Sequence, residues 1–83
     1  NLEALGRATA IPRIEEATLA ALRAAGDSYY LGVALMYAAD QRWRGGDRGG
    51  AMAAARAARV ALRRDGDARG ELAELTAWER RHR

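Results

Sequence analysis

The stretch GDSYYLGVALMYAADQRWRGGD, residues 26–47, opens and closes on the same dipeptide, and that dipeptide decides the fold. Gly26-Asp27, Gly46-Asp47 and a third copy, Gly66-Asp67, stand twenty residues apart. A glycine just past a helix end adopts the left-handed conformation that other residues resist. An aspartate beside it is a good N-cap, its carboxylate accepting from amides that the first turn of a helix leaves free. Each Gly-Asp is therefore a stop followed by a start, and joints this short set consecutive helices antiparallel.

The segments between the joints carry helical periodicity. A first helix is expected from Pro12 to Ala25, with Pro12 suited to its first position and Glu15 and Glu16 to its positive end. Ile11, Ile14, Thr18, Leu22 and Ala25 form its expected inward stripe. A second helix, Ser28 to Arg44, has two apolar stripes, one of Tyr30, Val33, Ala34 and Tyr37 and one of Leu31, Leu35 and Ala38. A helix apolar on two sides is central in a bundle. The third, Arg48 to Arg64, turns Ala51, Ala54, Ala55, Ala58 and Leu62 inward, with Gly49 and Gly50 weakening its first turn. The last runs from Ala68 to Arg81 with Leu72, Leu75 and Trp78 inward, and a short leading helix over Leu2 to Thr9 is compatible with the pattern. Period-two alternation is absent, so no strand is expected. The fold class is all-α: an antiparallel bundle or hairpin-repeat of four main helices in a single domain over residues 1–83. Because the chain opens on Asn1, it reads as a fragment or one domain of a larger protein.

Composition sets limits on the core and on the chemistry. Alanine (21 residues) outnumbers all bulky apolar residues together (20), so the core is thin and calls for close helix contact or a self-associating face. Cysteine is absent, which removes disulfides, thiol catalysis and thiolate zinc sites. The longest apolar run, Tyr29 to Ala39, is too short to span a bilayer. With no signal-peptide pattern, the expected location is cytoplasmic. The net charge of +3 is carried entirely on the cationic side by arginine. That bias has two readings, GC-rich coding and anion binding.

From Gly26 to Asp67 the chain resembles a tetratricopeptide-like helical hairpin, on the strength of Leu31-Gly32, the Gly46-Asp47 turn, and Ala51, Ala55 and Ala58. The match covers one hairpin, about half the chain, with joints spaced wider than that family's repeat. The resemblance implies Leu31 and Leu35 in the core, and Tyr29, Val33 and Met36 on a concave face that binds peptides.

Signals for chemistry are weak. His82 is single and terminal, with no nucleophile near it in sequence. Glu79-Arg80-Arg81-His82 has the Glu-x-x-His spacing of helical di-metal sites but occurs once. The Gly-rich run Arg44 to Gly50 opens a helix yet lacks the Lys and hydroxyl of a phosphate loop, and Asp47 repels phosphate. No metal or cofactor is implied, and no catalytic role. Trp43 between Arg42 and Arg44 reads as a lid on the bundle mouth or as a stacking site for a base. Arg56, Arg59, Arg63 and Arg64 line a ridge of the third helix that either crosses a nucleic-acid backbone or pairs with Glu71, Glu74 and Glu79. The expected role is protein–protein interaction, with a partner segment or a second copy meeting Tyr29, Val33 and Met36. Nucleic-acid association through the arginine ridge is the alternative, and no membrane is involved.

Overall fold

The computed structural model describes residues 14–82, which form α1 (Glu16–Ala25), α2 (Ser28–Arg44), α3 (Arg48–Asp65) and α4 (Arg69–Arg81), with no strand among the described residues. The leading helix expected over Leu2 to Thr9, together with Ile11, Pro12 and Arg13, lies outside the described residues.

The joints behave as their chemistry dictates. Among the described residues, Gly26, Gly46 and Gly66 are those with positive φ, at 72°, 89° and 84°. At the first two joints the chain closes with the paired bonds of a left-handed cap: Asp27 N–H donates to Leu22 O (3.3 Å) and Asp47 N–H to Arg42 O (2.9 Å). The same aspartates then cap the next helix, Asp27 accepting from Tyr30 N–H (3.1 Å) and Asp47 from Gly50 N–H (2.8 Å). The third joint departs from expectation. Asp67 does not cap; Ala68 holds the N-cap position without a side-chain bond, and Asp67 N–H donates to Asp65 Oδ2 at 3.3 Å. Ala68 is sealed in the core, and seating that methyl carries the chain one residue further before α4 begins.

Cross-helix bonds define the arrangement. The start of α1 meets the end of α2, through Ile14 N–H donating to Gln41 Oε1 (2.8 Å) and a Glu16–Arg42 ion pair. The starts of α2 and α4 are tied by Tyr29 Oη–H donating to Glu71 Oε2 (2.8 Å), and their later turns by Trp78 Nε1–H donating to Asp40 Oδ1 (3.1 Å). So α2 and α4 run parallel, side by side. The sequential neighbours α1–α2, α2–α3 and α3–α4 are antiparallel.

The tightest contact is between α2 and α3. A Cβ on Gly32 would lie 2.5 Å from Leu62 Cδ2 and 2.6 Å from Leu62 Cγ, so only glycine allows this approach. Against that seam pack Leu35, Met36 and Ala39 of α2 and Ala51, Ala54, Ala55, Ala58 and Leu62 of α3, joined by Leu75 and Trp78 of α4. The alanine face expected of the third helix is the observed one.

Two expected faces are rotated. Of the first helix's expected stripe, Ile14 packs against the core and Leu22 is half-buried, but the buried residue of α1 is Leu19, and Thr18 and Ala25 are exposed. α1 contacts the body along one line, and the two leucines hide more apolar area there than a hydroxyl and a methyl would. In α2, Tyr30 is 62% exposed rather than inward, and Met36 is 5% exposed rather than on an outer face. At about 100° per residue, Met36 lies one turn above Gly32 on the same side, whereas Tyr30, Ala34 and Tyr37 lie on the far side. Seating Gly32 against Leu62 therefore buries Met36 and turns Tyr30 outward, while Ala34 and Tyr37 stay packed against the core.

Gly32→Ala is expected to lower stability by about 1–3 kcal/mol through overpacking. Gly49→Ala, at an exposed helical position with open space around it, is expected to raise stability by about 0.5 kcal/mol. Thermal melts of the two variants check both signs.

Candidate interaction surfaces

Four surface features follow from this packing. The first is the outer side of α2. Tyr30 stands exposed, with Val33 half-buried beside it, Ala34 and Tyr37 half-buried against the core, and Arg44 exposed at the far end. None of Tyr30, Val33, Ala34 and Tyr37 carries a formal charge. Tyr29 meets the Tyr30 ring edge-on at 5.5 Å, which stiffens the aromatic at the helix start.

The second is the Tyr29–Glu71 bridge. The expected partner-facing residues Tyr29, Val33 and Met36 stand four and three apart on one side of α2, where Met36 is sealed in the core, Val33 is half-buried, and Tyr29 is half-buried with its hydroxyl committed to Glu71. Sequence reading set Tyr29 apart from its neighbour correctly but assigned it the outward position that Tyr30 occupies.

The third is the end of the bundle where α2 and α4 finish. Trp43 packs edge-on to Trp78 (6.1 Å) and to His82 (4.9 Å), and the His82 ring stacks on Trp78 at 4.3 Å. His82 Nδ1 lies 2.7 Å from Trp78 O. A carbonyl only accepts, so that nitrogen carries the proton and donates. Arg48 lies over the Trp43 ring at 5.0 Å, a cation–π contact that occupies the face a base would need. Beneath the cluster Asp40 is buried, accepts from Trp78 and pairs with Arg44 at 2.9 Å. Trp43 is thus part of the lid on the bundle mouth, and Arg42 and Arg44 are held in ion pairs rather than simply bathed in water. The pairs Asp40/Arg44 and Trp78/His82 are both four apart on a helix, a spacing that identifies neighbours. His82, single and terminal in the sequence, is thereby tied into the bundle end.

The fourth is the arginine ridge of α3. Arg59 donates to Thr76 Oγ1 (3.2 Å) and forms an ion pair with Glu79, so it is committed inside the domain. Arg56, Arg63 and Arg64 are exposed. Glu71 accepts from Tyr29 instead of pairing with the ridge.

The Gly-rich joint offers no phosphate cradle of the loop type. Its free helix-start amide at Gly50 is already taken by the Asp47 carboxylate, and a Cβ at Gly50 would fall 2.1 Å from that carboxylate. Among the described residues no group of three or more His, Asp or Glu side chains is placed to hold a metal ion. No helix among them is long and apolar enough to cross a membrane.

Comparison of the chain with models of protein families, with curated proteins and with solved structures finds no match.

Tyr29 supplies a pH signature of the α2–α4 contact. Its hydrogen bond to the Glu71 carboxylate, the negative charge there and partial burial all hold the phenol above its ordinary value of 10.0. A raised pKa in the folded state favours the neutral phenol. The stabilisation is therefore complete below the unfolded value and is lost as pH rises through the folded one. In an alkaline titration followed by phenolate absorbance, Tyr29→Phe is expected to remove a step lying above the ordinary tyrosine range. Glu71→Gln is expected to bring that step down.

Proposed function

We propose that this chain is a non-catalytic protein–protein interaction module whose docking surface is the outer side of α2. The observation that carries the reading is the exposure of Tyr30 on α2, with Val33 half-buried beside it. α2 is apolar around its circumference, the mark of a helix buried on all sides, yet α1, α3 and α4 cover only part of it. An exposed aromatic at the head of an uncharged helical stripe is the type of residue that anchors interfaces. The core supports the same view: more than half of the buried apolar residues are alanine, so the domain hides little area per residue and gains from a covering partner. A second copy is the simplest cover, because an uncharged face meets itself without like-charge repulsion. The likeness to a tetratricopeptide-like hairpin belongs with this proposal, as a helical scaffold that receives a partner.

A nucleic-acid role rests on Arg56, Arg63 and Arg64, which are exposed and form no ion pair with another described residue. Arg59 is withdrawn from the ridge by Glu79 and Trp43 is covered by Arg48, which leaves that role without its central cation or its stacking ring.

The test is light-scattering mass after gel filtration across a range of protein concentrations, at low and at high salt. The expected result is self-association that survives high salt and is lost in Tyr30→Asp, a surface change that leaves helicity intact. A mass that stays monomeric in both proteins contradicts self-association. DNA binding that falls steeply with salt and vanishes when Arg56, Arg63 and Arg64 become Ala favours the second reading.

A further inference from the structure

On the side of α2 away from Tyr30, α1 and α3 stand apart and leave an open groove of about 330 Å³. Its apolar lining includes Leu31 and Leu35 of α2 with Ala57 and Val60 of α3. Val60 is 55% exposed, an unusual place for a β-branched aliphatic on a helix whose outer residues are otherwise charged or small. Arg23, from the last turn of α1, and Arg64, from the last turn of α3, border this groove and a neighbouring hollow of about 240 Å³. Neither arginine is ion-paired with another described residue, whereas Arg42, Arg44 and Arg59 all are. The groove therefore joins an apolar lining to two arginines, and the one carboxylate in the neighbouring hollow, Asp27, forms no ion pair with them and caps α2 through Tyr30 N–H.

We propose that this groove is a second docking site, which receives an acidic-apolar peptide segment of another protein: an aliphatic side chain against Leu31, Ala57 and Val60, and an adjacent carboxylate held by Arg23 and Arg64. The charge complement selects an anion, since guanidinium forks bind carboxylates bidentately. The volume sits at the low end of ligand sites, about 300–1,000 Å³, which suits one or two side chains better than a long acyl chain. The lining contains no aromatic ring on which a nucleobase stacks. Tyr30 does not line the groove, so the site does not depend on it.

The probe is a fluorescein-labelled, end-blocked peptide of sequence Asp-Asp-Leu-Leu-Asp-Asp, titrated by anisotropy against the full chain, with folding of each variant checked by circular dichroism. Binding is expected to weaken about tenfold or more in the double variant Arg23→Glu, Arg64→Glu, a change of about 1.4 kcal/mol. Val60→Glu, at an exposed position, is expected to weaken it similarly, and Tyr30→Asp to leave it unchanged. Peptides with Ser for Leu, or Lys for Asp, are expected to bind at least tenfold less well, by about the same 1.4 kcal/mol. The proposal is overturned by absence of binding at about 1 mM chain, which corresponds to less than about 4 kcal/mol of affinity. It is equally overturned by binding that ignores the arginine and Val60 variants, by loss of binding in Tyr30→Asp, or by a preference of the same arginines for a single-stranded oligonucleotide or an anionic phospholipid vesicle. A mass doubling that depends on Val60 and not on peptide assigns the groove to a second copy instead, which also overturns it.

Discussion

The approach of α2 to α3 at Gly32 governs the rest of the structure. With no Cβ at that position the backbone of α2 comes down onto Leu62, and any larger residue would stand within 2.6 Å of that side chain. The rotation of α2 follows, because one face must be presented to α3 and a helix fixes the direction of every other side chain relative to it. Leu35, Met36 and Ala39 are carried inward with Gly32, and Tyr30 is carried out. The small residues of α3 are the matching half of the same contact: Ala51, Ala55 and Ala58 are each fully sealed. A core of this kind relies on short distance rather than on bulk, in keeping with the dense packing of protein interiors.

Bulk and polar ties enter where the hairpin meets its flanking helices. Trp78 and Leu75 fill the space between α4 and the hairpin, and Leu19 does the same for α1. Asp40 shows how a buried charge is tolerated there. It has a donor in Trp78 and a cation in Arg44, so its carboxylate is satisfied on both sides, as a buried ionised group requires. The Trp43–Trp78–His82 cluster then closes that end of the bundle, and Arg48 covers its outer ring. Part of the arginine content is accordingly structural: Arg42 and Arg59 each hold one element to another, Arg44 neutralises the buried Asp40 one turn away, and Arg48 covers an aromatic ring.

Local chemistry was legible in the sequence and rotation was not. The joints could be placed because left-handed glycines and capping aspartates act over three or four residues, and the second helix has the expected bounds, Ser28 to Arg44. Asp67 failed as a cap because burial of Ala68, a tertiary event, took precedence over a local preference. The orientation of α2 was hidden by its composition: with Tyr, Val, Leu, Met and Ala on every side, periodicity has no polar face to register against. Tyr29 and Tyr30 were exchanged for that reason, and the carboxylate that holds Tyr29 lies 42 residues away in sequence. Leu31-Gly32 did carry the needed information, since a glycine inside a helix marks a close approach, and following it around the helix would have placed Met36 inside.

The functional account depends on that rotation, since it sets which side of α2 is left for a partner. Residue-resolved hydroxyl-radical labelling of the folded chain in dilute solution tests it most directly. The structure predicts that Tyr30 is labelled ahead of Tyr29, and that Met36 is protected in spite of the ready oxidation of its sulfur. Labelling of Tyr29 and Met36 ahead of Tyr30 would show that α2 turns its other side outward, and would contradict the account.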